Sequence, residues 1–172
     1  STEMVGVLAT GEIWLKVPET LLFNFTGTLN PGVMGKDLIL KVIGDIGHEG
    51  ATYKAMEFAG ETISNLPMDE RLCMCNMSVE AGAKNGIIAF DEITGAYVEG
   101  VGITGSYDDL VSDSDAVYEK IYEIDVSSVR SLVACPHEVD NVREARIVEM
   151  DKVPLDQVYI GSCTGGRLTD LK

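Results

Sequence analysis

The order of apolar runs and turn signals in this 172-residue sequence predicts an α/β fold: a layered α/β/α domain on a partly parallel sheet, followed by the start of a second α/β domain. Three observations carry that expectation. Short β-branched or aromatic runs alternate with segments of helical periodicity. Those helical segments are long enough for a crossover between parallel strands. The length leaves room for one ordinary domain with pieces of its neighbours.

Taken in order, Leu21–Leu29 (LLFNFTGTL) has strand composition and stops at the turn Asn30-Pro31-Gly32. In Lys36–Gly47, the residues Leu38, Ile39, Val42, Ile43 and Ile46 recur at helical spacing, and Gly47 is a stop. Ala51–Gly60 reads as a second strand between glycines. Pro67–Gly86 is the most periodic segment: Pro67 suits a first helical turn, Asp69 and Glu70 complement the dipole, and Gly82 to Gly86 closes it. Gly86–Phe90 reads as a short buried strand and Val117–Val126 as an alternating one, with a Gly/Ser/Asp-rich loop from Gly100 to Asp115 between them. Ala134–Leu155 is mixed and reads as a connector. Asp156–Cys163 is expected as a last strand, and Arg167–Lys172 as a helix start.

A formal charge of −15 argues against nucleic acid or an anionic membrane as partner, since both need a positive surface. No stretch approaches about 18 uninterrupted apolar residues, so no membrane span is expected. Four scattered cysteines favour a reduced, cytoplasmic chain over a disulfide scaffold. The opening STEMVGVLATGEIW has no basic start and no initiator Met, and reads as a processed end or a cut piece of a longer chain.

Chemistry concentrates in two places. Cys163 stands on a Gly/Ser/Thr turn, at the end of the expected strand and before the expected helix, where amide N–H groups favour a thiolate. That turn is compatible with a nucleophile or metal ligand, with a packed small residue, or with an anion-binding loop lacking P-loop spacing. Asn76 and Glu80, at i and i+4, form a polar pair that is either a solvated face or an active-site amide and carboxylate. Cys73 and Cys75 lie roughly 200° apart on a helix and cannot share an ion. Met68, Leu72, Cys75 and Val79 share one face, so Cys75 reads as a small core residue. His48 and His137 have no partner at ligand or triad spacing, and Cys135-Pro136-His137 is too tight for a common chelate.

Four stretches together resemble the aconitase superfamily. Met74–Thr94 (MCNMSVEAGAKNGIIAFDEIT) and Tyr159–Leu171 (YIGSCTGGRLTDL) look like two of its signatures. Ala9–Thr20 and Lys36–Gly60 resemble its isopropylmalate dehydratase and homoaconitase large-subunit branch. The resemblance implies a hydro-lyase that isomerises a 2-hydroxy di- or tricarboxylic acid at a 4Fe-4S cluster, with a separate small subunit as partner; in the isopropylmalate dehydratase branch this is a step of leucine biosynthesis. The alternatives are a homoaconitase large subunit and a non-catalytic α/β binding module of the same superfamily. The resemblance also implies that Cys163 is the first cluster cysteine and that Asn76 and Glu80 are active-site residues. Gly165 departs from the pattern, which has Asn there. In the family the other two cluster cysteines lie downstream, beyond Lys172. The resemblance therefore implies the middle of a large subunit, without cluster and inactive alone. Its parts are the end of one domain (1–18), an α/β middle domain (19–133), a connector (134–155) and the start of a cluster-binding domain (156–172).

Overall fold

The computed structural model describes residues 2–105, 107 and 110–171. Helix α1 (Thr2–Thr10) leads to strand β1 (Thr20–Thr26), helix α2 (Gly35–Ile46) and strand β2 (Ala55–Ala59). A short α3 (Glu61–Ser64) precedes α4 (Met68–Met77), which tightens into a 3-10 turn, Ser78–Ala81, before β3 (Asn85–Ile87). Then follow α5 (Glu92–Gly100), β4 (Lys120–Asp125), the hairpin strands β5 (Leu132–Ala134) and β6 (Val142–Glu144), and α6 (Ala145–Met150). The first four strands form one sheet in the order β3-β2-β1-β4, with every neighbouring pair parallel. The fold is mixed α/β, as the alternation predicts.

Strand β1 alternates: Leu21, Phe23 and Phe25 are buried, while Leu22 and Asn24 are half-buried. Register places Phe23 beside Phe58 of β2 and Tyr122 of β4. The Phe23 and Tyr122 rings stack 4.7 Å apart, and Phe58 lies 5.8 Å from Phe23. Helix α2 covers this aromatic face with Leu38, Ile39, Val42 and Ile43, and α4 adds Met74 to the same core. Burial of these side chains is the main stabilising term, about 1.5–3 kcal/mol each. On the opposite face Glu57 accepts from Ser112 Oγ at 2.8 Å and from the Tyr118 hydroxyl at 3.2 Å, so the connection to β4 crosses the sheet there.

Three element expectations need correction. Asp156–Cys163 is not a strand: the segment pairs with neither edge of the sheet, and Val158, Tyr159 and Ile160 are exposed. A strand needs a neighbour to take its backbone groups, and none is in register here. Arg167–Leu171 forms turns rather than a helix start. Gly86–Phe90 is not a buried strand: β3 spans Asn85–Ile87 at the edge of the sheet, and Ile87 is 42% exposed. Beyond the sheet, the β5–β6 hairpin packs on α2. The buried Asp37 carboxylate takes the Leu132 N–H at 2.7 Å as well as the Met34 N–H at 2.8 Å, so it both caps α2 and anchors β5. Among the described residues no helix is long and apolar enough to cross a membrane.

Candidate functional site

Helix α4 organises the site. Pro67 caps it in extended conformation, and Asp69 and Glu70 occupy the positive first turn. Its fixed point is Arg71, 1% exposed. The guanidinium donates to the Asp91 carboxylate through two nitrogens, both at 2.7 Å, to the Leu66 carbonyl at 2.9 Å and to the Ser64 carbonyl at 3.1 Å. Asp91 in turn caps α5 by accepting from Thr94 N at 3.0 Å. The Arg71 bonds hold the Asp91 carboxyl well below its ordinary 3.8, at about 2. Here a buried charge is acceptable because nearly every donor is used.

The buried side of α4 is Arg71, Cys73 and Met74. The expected stripe of Met68, Leu72, Cys75 and Val79 is therefore displaced, with Cys75 only half-buried and Val79 63% exposed. Within α4 the buried Arg71 takes the inner side; Val79 is moved further by the change of helix type at Ser78, whose hydroxyl bonds back to the Met74 carbonyl at 3.2 Å. Each residue of a 3-10 turn rotates further than in an α-helix, and side chains four apart no longer stack. Gly82 ends the turn at φ +81, where any Cβ would sit 2.9 Å from Thr52 Oγ1. Burial pushes the Cys73 and Cys75 thiols up to about 11, which leaves them inert at neutral pH.

Asn76 and Glu80 are both exposed, Asn76 on the last turn of α4 and Glu80 on the 3-10 turn. The exposed Cys163 thiol donates to Asn76 Oδ1 at 3.3 Å across 87 positions of sequence. Two of the three singled-out residues thus meet directly. Among the described residues Glu80 makes no side-chain hydrogen bond or ion pair. The Cys163 turn is bent by Ser162 at φ +84 and Gly166 at φ +102. The Gly166 and Arg167 N–H groups donate to Asp170 Oδ2 at 2.8 and 2.7 Å, so they close the turn rather than point at the thiol. Gly165 has an ordinary φ, and a Cβ there would meet only the Gly161 carbonyl, at 3.8 Å.

The sequence reading missed Asp69, Arg167 and Thr169. Arg167 Nε lies 3.3 Å from Asp69 Oδ1, and Thr169 Oγ1 donates to Asp69 Oδ2 at 2.6 Å, tying the Cys163 turn to the start of α4. The Gly-Gly-Arg-x-x-Asp pattern that folds this turn was the available signal. Also missed was the partner of His48: Asp140, at 2.7 Å from Nδ1 and 92 residues away, raises the imidazole pKa. Among the described residues no group of three His, Cys, Asp or Glu converges on a metal-binding set. The exposed Cys163 thiol could serve as one soft ligand of an iron–sulfur cluster, and among the described residues no second cysteine joins it in a ligand set.

The chain belongs to the aconitase family: the profile of that family (aconitate hydratase) matches residues 1–148. Its relatives include dehydratase large subunits. The chain is 52% identical over all 172 residues to the 3-isopropylmalate dehydratase large subunit of Syntrophus aciditrophicus and 52% identical to that of Thermodesulfovibrio yellowstonii. It is 51% identical to the 2,3-dimethylmalate dehydratase large subunit of Eubacterium barkeri. In each case the chain spans 40% of the relative's length.

Proposed function

We propose that this chain is part of the large subunit of a hydro-lyase that interconverts 2-isopropylmalate and 3-isopropylmalate by removing and re-adding water, in leucine biosynthesis and in the cytoplasm. The reading rests most heavily on one contact, the Cys163 thiol beside the Asn76 carboxamide at 3.3 Å. Both residues lie in stretches that resemble the family's signatures, and nothing in the packing of the apolar core requires them to meet.

Cys163 is proposed as one thiolate ligand of a 4Fe-4S cluster, with the remaining ligands outside this chain. When bound, such a cluster offers an open iron that acts as a Lewis acid toward a hydroxyl or carboxylate. Asn76 orients the sulfur: its amide accepts from the protonated thiol, and after rotation it donates to the thiolate through its NH₂. Glu80, carboxylate side free, holds or accepts a proton as general acid–base. The segments 1–18, 19–133, 134–155 and 156–172 are proposed as the end of one domain, the middle domain, a connector and the beginning of the cluster-binding domain. A separate small subunit completes the substrate site.

The near-equal identity to a 2,3-dimethylmalate dehydratase makes that second alkylmalate the rival substrate. Homoaconitase-type substrates are the further alternative. The test is the full-length large subunit reconstituted with its small subunit and assayed by ultraviolet absorbance of the unsaturated dicarboxylate. Turnover of 3-isopropylmalate in preference to the other acids is expected, and preference for another acid overturns the substrate assignment. Cys163→Ser should abolish the visible absorbance of the cluster. Glu80→Gln should keep that absorbance and lower turnover roughly 10²–10⁴-fold; full activity in this variant removes Glu80 from the mechanism.

A further inference from the structure

We infer that Asp69 is a positioning residue for Cys163: it clamps the Cys163 turn to helix α4 and so sets where the thiol stands. The inference rests on the reading of Cys163 as a cluster ligand for its functional meaning, although the clamp itself is independent of it.

No strand pairing holds the segment that approaches the turn. Residues 157–160 pair with no strand, and Val158, Tyr159 and Ile160 are 66–81% exposed. The attachment comes from α4 instead, at two points seven residues apart, about 10 Å along the axis at 1.5 Å per residue. At one end Asn76 takes the thiol. At the other, Asp69 engages the chain three times. Its Oδ1 lies 3.3 Å from Arg167 Nε, its Oδ2 accepts from Thr169 Oγ1 at 2.6 Å, and its carbonyl accepts from Arg167 Nη1 at 3.3 Å. Both charged side chains of the pair are about seven-tenths covered, at 26% and 31% exposure.

What Asp69 grips is stiff. Asp170 ties the Gly166 and Arg167 N–H groups together, and a Cβ on Gly166 would lie 2.9 Å from Gly161 Cα, so the two ends of the Cys163 loop touch. A stiff loop held at Arg167 and Thr169 transmits that position to Cys163, four residues before Arg167. A ligand to a metal centre must be held to within about 0.5 Å, and the supporting residues supply that precision.

The experiment has two arms. In the full-length large subunit, hydrogen exchange across residues 161–171 should be roughly threefold to tenfold faster in Asp69→Ala and in Thr169→Val, as for loss of a partly buried charged hydrogen bond. Asp69→Glu should restore slow exchange, and the α4 amides should be unchanged in Thr169→Val, which leaves that helix intact. Wild-type exchange in both Asp69→Ala and Thr169→Val overturns the clamp, whatever becomes of the cluster. In the full-length large subunit, iron and acid-labile sulfide should fall in Asp69→Ala and return in Asp69→Glu. Faster exchange with unaltered iron content overturns the positioning role. A wild-type subunit that never binds iron overturns the reading of Cys163 instead, and the exchange arm then decides the clamp.

Discussion

Replacing Asp91 by alanine isolates the pair that holds the buried Arg71 of α4. Arg71 would keep its bonds to the Leu66 and Ser64 carbonyls but lose two charge-assisted bonds at 2.7 Å, and α5 would lose its cap. Breaking a fully buried pair costs about 3–5 kcal/mol, and a lost cap about 1 kcal/mol. Asp91 is 34% exposed, so water partly replaces it and the sum is discounted to about 2–4 kcal/mol. At roughly 2–4 °C per kcal/mol for a chain of this size, the midpoint should fall by about 5–15 °C. Asp91→Asn keeps the cap and should cost roughly half as much. Urea and thermal unfolding followed by circular dichroism measure both variants. The pH dependence gives an independent check. The folded-state pKa of Asp91 lies below its ordinary value, so its contribution is fully present above the ordinary carboxylate range and is lost as pH falls from about 4 towards about 2. A change under about 0.5 kcal/mol in Asp91→Ala, within the range of an ordinary surface substitution, would refute the bracing role.

Gly82→Ala forces a side chain into φ +81 against Thr52 and should destabilise by about 1–3 kcal/mol, measured by urea titration. Under brief alkylation at neutral pH, mass spectrometry should find Cys163 modified well before the buried Cys73 and the half-buried Cys75, whose thiols are pushed up to about 11; prior labelling of Cys73 would contradict the packing of α4. The His48 pKa is raised by Asp140, so the stabilisation from that pair is present below the ordinary histidine range and is lost as pH rises through the raised value. Asp140→Asn should remove this pH dependence, and NMR titration of the imidazole should show its pKa return towards 6.5.

Much of the fold was legible because local signals and burial agree. The alternation of Leu21, Phe23 and Phe25, the 3.6-residue stripe of α2 and the stop at Gly82 each state in sequence what the structure does. Legibility failed where the deciding partner is distant. Apolar Val158-Tyr159-Ile160 looks like a strand until the sheet is found to have no place for it. Arg71 looks like a surface residue of a polar first turn until Asp91 is seen to neutralise it. Asp69 looks like a dipole charge, and its grip on Arg167 and Thr169 spans about a hundred positions.

Sequence alone determined the class of fold, the apolar faces of β1 and α2, and the choice of Cys163, Asn76 and Glu80 as the residues to examine. These follow from periodicity, turn chemistry and motif, all of which are local. Only the tertiary structure decided that Cys163 meets Asn76, that Glu80 lies off the α-helical register, and that Asp69 and Asp170 build the turn between them. Such contacts join residues that chain connectivity leaves far apart, and their geometry exists only once the sheet and α4 have packed.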